Sequence, residues 1–355
     1  MTIYLLLFIF SSVSAQNDSE TRSFIKTVPV GRETTLEISN KYGTIQITPW
    51  NKDSAYIRAE VKAFAKDRSK FAKMFDGISV NITDSKYLVR AETKFTSNIN
   101  TLFESFKGMT NKIISYDSHI EIDYYINIPE YLNLKIENKY GDVYMEDNTG
   151  EFKISISNGS FKAHSLGKKS SMTMVFCDAK INSMGSGNID ASFSEVSIGE
   201  SDDLSINSIS SKYNISKAGM LSGESRRDKF YIENIESLQG NAYFSDYKLN
   251  NVKREINLTT RYGSVNADLI AKGFESININ SGYSDLSLTF EPACSYNLDI
   301  RHTNTFLVLP DRNIKTEQKT LNEDKKEYIT SGSVGKNPGT SKIKIDANRG
   351  NIYIK

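Results

Sequence analysis

LKIENKYGDVYM at 134–145 holds the architecture in miniature: two alternating apolar residues, an Asn-Lys-Tyr-Gly link, then two more alternating apolar residues. The phrase returns as LEISNKYGTIQI at 36–47, LSINSISSKYNI at 204–215, INLTTRYGSVNA at 256–267, ININSGYSDLSL at 277–288 and IKIDANRGNIYI at 343–354. Such self-similarity points to stacked copies of one small β unit, an elongated body rather than a pocketed globule.

The two arms of each phrase carry an odd offset. Ile136 and Val143 are seven positions apart, as are Ile38 and Ile45, Ile206 and Tyr213, Leu258 and Val265, Ile279 and Leu286, and Ile345 and Ile352. Strand side chains alternate faces with period two, so an unbroken strand would send the two apolar sets to opposite faces. The chain must bend between them. Asn40 to Gly43 and Asn138 to Gly141 place Asn first and Gly fourth, the preference of a type I turn with Gly in the left-handed (αL) position.

Looser copies, FKISISNGSFKA at 152–163 and KINSMGSGNIDA at 180–191, lie between the clear ones. Together they predict an all-β chain: a right-handed β-solenoid built from coils of about 20–28 residues, with a continuous stack from about 134 to 300. A Greek-key β-sandwich reads similarly over short stretches.

One domain over 24–355 accounts for the pattern, with two interruptions. In an excursion at 63–118, AFAKDRSKFAKMFD (63–76) sets Phe64, Phe71, Met74 and Phe75 at helical spacing, whereas ISVNI (78–82) and YLVRAET (87–93) read as strands. Residues 94–116 read as a polar connection. The segment 311–342 combines a charged run with turn-rich SGSVGKNPGTS, and predicts a solvated loop or exposed hairpin that caps the stack.

Composition narrows the function classes. Forty-four basic and 43 acidic residues nearly cancel, so no global field draws the chain to nucleic acid. MTIYLLLFIFSSVSA at 1–15 is an apolar run ending in small residues, with Val13 and Ala15 placed like a signal-peptide cleavage site, although no Lys or Arg precedes it. Export to the periplasm or the cell surface follows as an expectation. No Cys follows the site to carry a lipid, and no later stretch is long and apolar enough for a transmembrane span. Cys177 and Cys294 could pair in an oxidising compartment or serve as buried thiols.

No catalytic constellation emerges. His119, His164 and His302 are scattered without metal-ligand spacing, and there is no phosphate loop, nucleophile elbow or dinucleotide fingerprint, so no metal and no cofactor is expected. Asp202-Asp203, the one adjacent Asp pair, precedes a strand as a turn would. Tyr42, Tyr140, Tyr262 and Tyr283 hold one position, immediately before Gly or Ser at the bend, and would align along one edge of a stack. They are the candidate binding residues, although a structural tyrosine ladder that shields each corner accounts for them first.

The phrases at 36–47, 134–145 and 343–354, behind the export-like terminus, resemble the "putative adhesin" family of Bacteroidetes-type envelope proteins, related to the head GIN domains. The resemblance covers most of 28–355. It implies a β-solenoid, an exported location and a non-enzymatic role, an adhesin or scaffold that binds a surface glycan or an envelope protein. It carries over no catalytic residue. The alternatives are a polysaccharide-cleaving enzyme on the same scaffold and a periplasmic structural or signalling component.

Overall fold

The computed structural model describes residues 18–65, 72, 75–96, 118–167, 169–311 and 313–355. Among the described residues, 24 strands join in one continuous sheet. The N-terminal part contributes β1 (Asp18–Pro29), β2 (Thr35–Lys41), β3 (Ile45–Pro49), β4 (Ser54–Ala65), β5 (Ile78–Asp84), β6 (Leu88–Phe95), β7 (Ser118–Ile128), β8 (Asn133–Lys139) and β9 (Val143–Asn148). The middle is made of long bent strands: β10 (Phe152–Leu166), β11 (Ser170–Ser192), β12 (Glu195–Ile209), β13 (Lys212–Arg226), β14 (Lys229–Tyr243) and β15 (Asp246–Arg261). The remainder comprises β16 (Ser264–Ile270), β17 (Ser276–Gly282), β18 (Asp285–Phe290), β19 (Tyr296–Thr303), β20 (Phe306–Val308), β21 (Ile314–Asn322), β22 (Glu327–Val334), β23 (Lys342–Asn348) and β24 (Asn351–Ile354).

Successive coils pair in parallel, arm on arm, which makes the chain a β-solenoid stack. The coils are shorter than the 20–28 residues expected. Phe152 pairs with Leu134 and Ser170 with Phe152, a step of 18. Glu195 follows Asp178, Lys212 follows Glu195 and Lys229 follows Lys212, steps of 17. Only the last coils lengthen, with Ser276 on Glu255 at a step of 21. Four of the short coils eluded the phrase because their bends, Phe176-Cys177, Phe193-Ser194, Arg227-Asp228 and Phe244-Ser245, carry neither Tyr nor Gly.

The core follows from the bend. Ile206 and Tyr213, seven apart, are both buried, because the chain turns between them and aims both arms inward. Inside, Tyr213, Phe230 and Tyr247 stack at 4.7 and 4.5 Å between ring centroids. Cys177 and Cys294 are both buried free thiols on distant coils, and burial pushes both thiol pKa values up.

The excursion differs from its reading. Residues 63–65 continue β4 rather than opening a helix, because Ala59, Val61 and Ala63 alternate into the core with period two. Of the expected helix, residues 72, 75 and 76 are helical and Phe75 is buried; Phe71 and Met74 lie outside the described residues, as do the 1–15 segment and most of the 94–116 connection.

Neither end of the stack keeps chain order. β2–β3 lies between β8–β9 on one side and β6 with β7 on the other. β4 and β1 then extend the β7 side antiparallel, and β5 extends the β6 side. At the far end β23–β24 sits between β17–β18 and β19–β20, and the hairpin β21–β22 runs antiparallel along the outer edge of β19.

Candidate functional site

One residue per coil, at the bend between arms, adopts the αL conformation: Tyr42, Tyr140, Asn158, Phe176, Phe193, Ser210, Arg227, Phe244, Tyr262, Tyr283, Arg349 and Asn304, in stacking order. Ten of these twelve residues, all but Asn158 and Asn304, are neither Asn nor Gly, so most positions run against intrinsic preference, each at about 1–2 kcal/mol. The stack overrides that preference. The corner N–H donates to the carbonyl just before the next corner, Tyr140 to Ser157 at 2.9 Å, Ser210 to Arg226 at 2.9 Å and Tyr283 to Asn348 at 2.9 Å, so the parallel ladder continues through the bend.

The sequence reading gave the αL position to the glycine that follows. The structure gives it to Tyr42 and Tyr140, and keeps Gly43 and Gly141 for a different reason. A Cβ on Gly43 would stand 2.0 Å from the Ile122 carbonyl oxygen, and one on Gly141 2.0 Å from that of Gly43. Where the coils shorten, hydroxyl side chains and one carboxylate fill this inner column. The Cys177 N–H donates to Ser194 Oγ at 3.1 Å, Ser194 N–H to Ser211 Oγ at 3.3 Å, Ser211 N–H to Asp228 Oδ1 at 2.7 Å, and Asp228 N–H to Ser245 Oγ at 3.1 Å. Each of these four N–H groups, one residue past its corner, thus finds an acceptor one coil on.

Outside this polar spine runs an aromatic ridge. Phe176 and Phe193 stack at 5.0 Å, Phe244 and Tyr262 at 4.9 Å, Tyr262 and Tyr283 at 5.0 Å, and Tyr42 and Tyr140 at 5.5 Å. Arg349 extends the ridge, its guanidinium 5.0 Å from the Tyr283 ring centre and Nη1 donating to the Tyr283 hydroxyl at 2.8 Å. These centroid spacings match the strand separation of about 4.8 Å that the coils impose. Phe176, Phe193, Phe244 and Tyr262 are all more than half exposed, whereas Tyr42 is buried between Tyr140 and Phe95. Asn158, Ser210 and Arg227 interrupt the rings.

Of the four tyrosines singled out by sequence, the fold therefore unites Tyr42 with Tyr140 and Tyr262 with Tyr283, as separate stretches of one column. Phe176, Phe193 and Phe244 belong to the same column and were missed. Their signal was a small residue just after them at a spacing of 17 or 18: Cys177, Ser194 and Ser245.

Two shallow troughs flank the second bend of the coils. One, of about 530 Å³, is lined by Glu200, Asp202, Lys217, Asn234, Glu236 and Lys253; the other, of about 380 Å³, runs across the outward face past Asn182, Asn214, Tyr231 and Lys248. Glu200 and Asp202 are exposed, and Glu200 lies 3.5 Å from Lys217 Nζ. A carboxyl group used as a general acid is normally desolvated, and these are not. Among the described residues no cluster of three or more His, Cys, Asp or Glu could hold a metal ion. His164 pairs with Asp147 at 2.6 Å on the surface, and His302 is buried. No helix among the described residues is long and apolar enough to cross a membrane.

No family model and no curated sequence matches the chain. Among solved structures, the chain is similar over 95% of its length to the whole of a "putative cell adhesion protein" from Clostridium sporogenes, at 12% identity and a TM-score of 0.18. It is similar over 77% of its length to 92% of a "putative lipid binding protein" from Parabacteroides distasonis, at 12% identity and a TM-score of 0.30. Overlaps this slight carry no functional argument.

Proposed function

We propose that this chain is a non-enzymatic, exported interaction module of the cell envelope, an adhesin or scaffold whose outer face engages a surface glycan or an envelope protein. The observation that carries the reading is the aromatic ridge. A protein gains little by exposing Phe176 beside Phe193, and Phe244 beside Tyr262, along one column, and exposed apolar surface of this kind marks interaction sites. Tyr140, Tyr262 and Tyr283 extend the contact, and Tyr42 closes its end.

The ridge also shapes how a ligand would bind. Neighbouring rings cover each other's faces, so a partner meets ring edges and tyrosine hydroxyls, and finds free faces only where Asn158 and the Ser210–Arg227 pair break the stack. A rigid scaffold presenting these groups at a fixed pitch suits a repeating or extended partner. The exposed acids in the trough support binding rather than polysaccharide cleavage.

Protease treatment of intact cells, followed by a search for released peptides of this chain, tests the surface location; complete protection in intact cells contradicts it.

A further inference from the structure

The coil formed by β19 and β20 is in register for a neighbour it does not have. Lys342 of β23 pairs with Ser276 on one side and Asn297 on the other, and Ile352 of β24 pairs with Leu286 and Leu307. Ser276 and Asn297 are 21 residues apart, as are Leu286 and Leu307, and this is the step by which Ser276 already follows Glu255. In chain order, β19–β20 is therefore the next coil after β17–β18. The C-terminal strand pair has been inserted between them.

The columns on either side of the insert are complementary without it. Leu298 lies in line with Ile277, Ile300 with Ile279, and Leu307 with Leu286, all by the same step. One column is more telling. Ser281 and His302 flank Ala347 from opposite sides, and Ser281 Oγ is buried without a hydrogen-bond partner, whereas the buried His302 ring lies with Nε2 3.3 Å from Thr330 Oγ1. Buried polar atoms are seldom left unpaired. Were β23–β24 to leave, the closing coils would bring Ser281 and His302 into adjacent rungs of one column.

We propose that β23–β24 is a transferable rung, and that the slot takes up the same segment from a second copy of this chain to form a strand-swapped dimer. The incoming arm would make the contacts that the chain's own arm makes here, with Ile343, Ile345, Ala347, Ile352 and Ile354 buried, so exchange carries little intrinsic penalty. A hinge is present. Residues 335–341 join β22 to β23 and contain Gly335 and Gly339, both at positive φ. The proposal is independent of what the corner ridge binds.

Two full-length variants test it, one carrying only Ser276→Cys and the other only Lys342→Cys, unfolded together, refolded together and oxidised. The proposal predicts a covalent heterodimer whose yield rises with protein concentration during refolding. A second measurement reads the mass in solution of a full chain whose hinge is shortened by removing residues 336–338. A hinge too short to return the arm to its own slot should convert monomer to dimer. If the co-refolded pair gives no covalent heterodimer at any concentration and the short-hinge chain remains a monomer, the proposal is overturned.

Discussion

The rings of Tyr262 and Tyr283 stack 5.0 Å apart although 21 residues separate them, because each occupies the αL corner of its own coil. Tyr262 also stacks on Phe244 at 4.9 Å, so it lies between two rings. Tyr262→Asn keeps a residue that tolerates αL, as Asn158 and Asn304 do in the same column, and removes both stacking contacts. An aromatic pair contributes about 0.5–1.5 kcal/mol. The variant should lose about 1–2 kcal/mol in urea denaturation, with Tyr262→Phe close to wild type.

The glycines after the corners serve packing rather than backbone freedom. A Cβ at Gly141 meets the Gly43 carbonyl oxygen at 2.0 Å and the Gly43 carbonyl carbon and nitrogen at 2.8 and 2.9 Å, whereas a Cβ at Gly31 meets nothing within 4 Å. Gly141→Ala should therefore cost about 3 kcal/mol or more through forced separation of two coils. Gly31→Ala should stay within about 0.5 kcal/mol of wild type. Thermal denaturation of the two variants side by side checks the contrast.

Asp228 stands where neighbouring coils place Ser194, Ser211 and Ser245, and accepts from Ser208 Oγ at 2.6 Å and from the N–H groups of Ser211 and Arg226 at 2.7 and 2.9 Å. Burial raises its pKa, with those hydrogen bonds opposing. A carboxyl group that holds its proton more tightly when folded adds stability below its unfolded pKa of about 3.9, and loses that increment as pH rises through the folded value. Asp228→Ser removes the titration. Measured by urea midpoints across the acidic range, wild type should lose stability relative to Asp228→Ser as pH is raised; a difference that does not change with pH contradicts the assignment.

Ser194 Oγ accepts from the buried N–H of Cys177 and donates to the Ser192 carbonyl at 2.9 Å. Ser194→Ala strands that N–H beneath the ridge. The loss should be about 1–3 kcal/mol, and the Cys177 amide should exchange with solvent faster than those of the adjoining arms.

How far the sequence disclosed this molecule depends on what each residue had to satisfy. Corners such as Tyr42-Gly43 and Tyr140-Gly141 were legible because steric exclusion of a Cβ demands glycine at one fixed place. Phe193-Ser194 and Arg227-Asp228 turn the same corner with a side chain that accepts an N–H of the preceding coil, so the repeat passes through them without its signature, and the coil length was overestimated. The insertion of β23–β24 was not legible at all. Ile277 and Ile279 accept Ile343 and Ile345 as readily as Leu298 and Ile300, and apolar alternation alone does not say which coil lies next to which.

The claim at the centre of this account is that the aromatic ridge is the binding edge. The most direct measurement compares retention of the purified wild-type chain, and of a variant carrying Phe176→Ser, Phe193→Ser and Phe244→Ser, on a panel of immobilised envelope polysaccharides and membrane-protein fractions, after circular dichroism has shown both to be folded. Wild type should be retained on at least one surface, and the triple variant should be lost from it. Equal retention of the two folded proteins would contradict the claim.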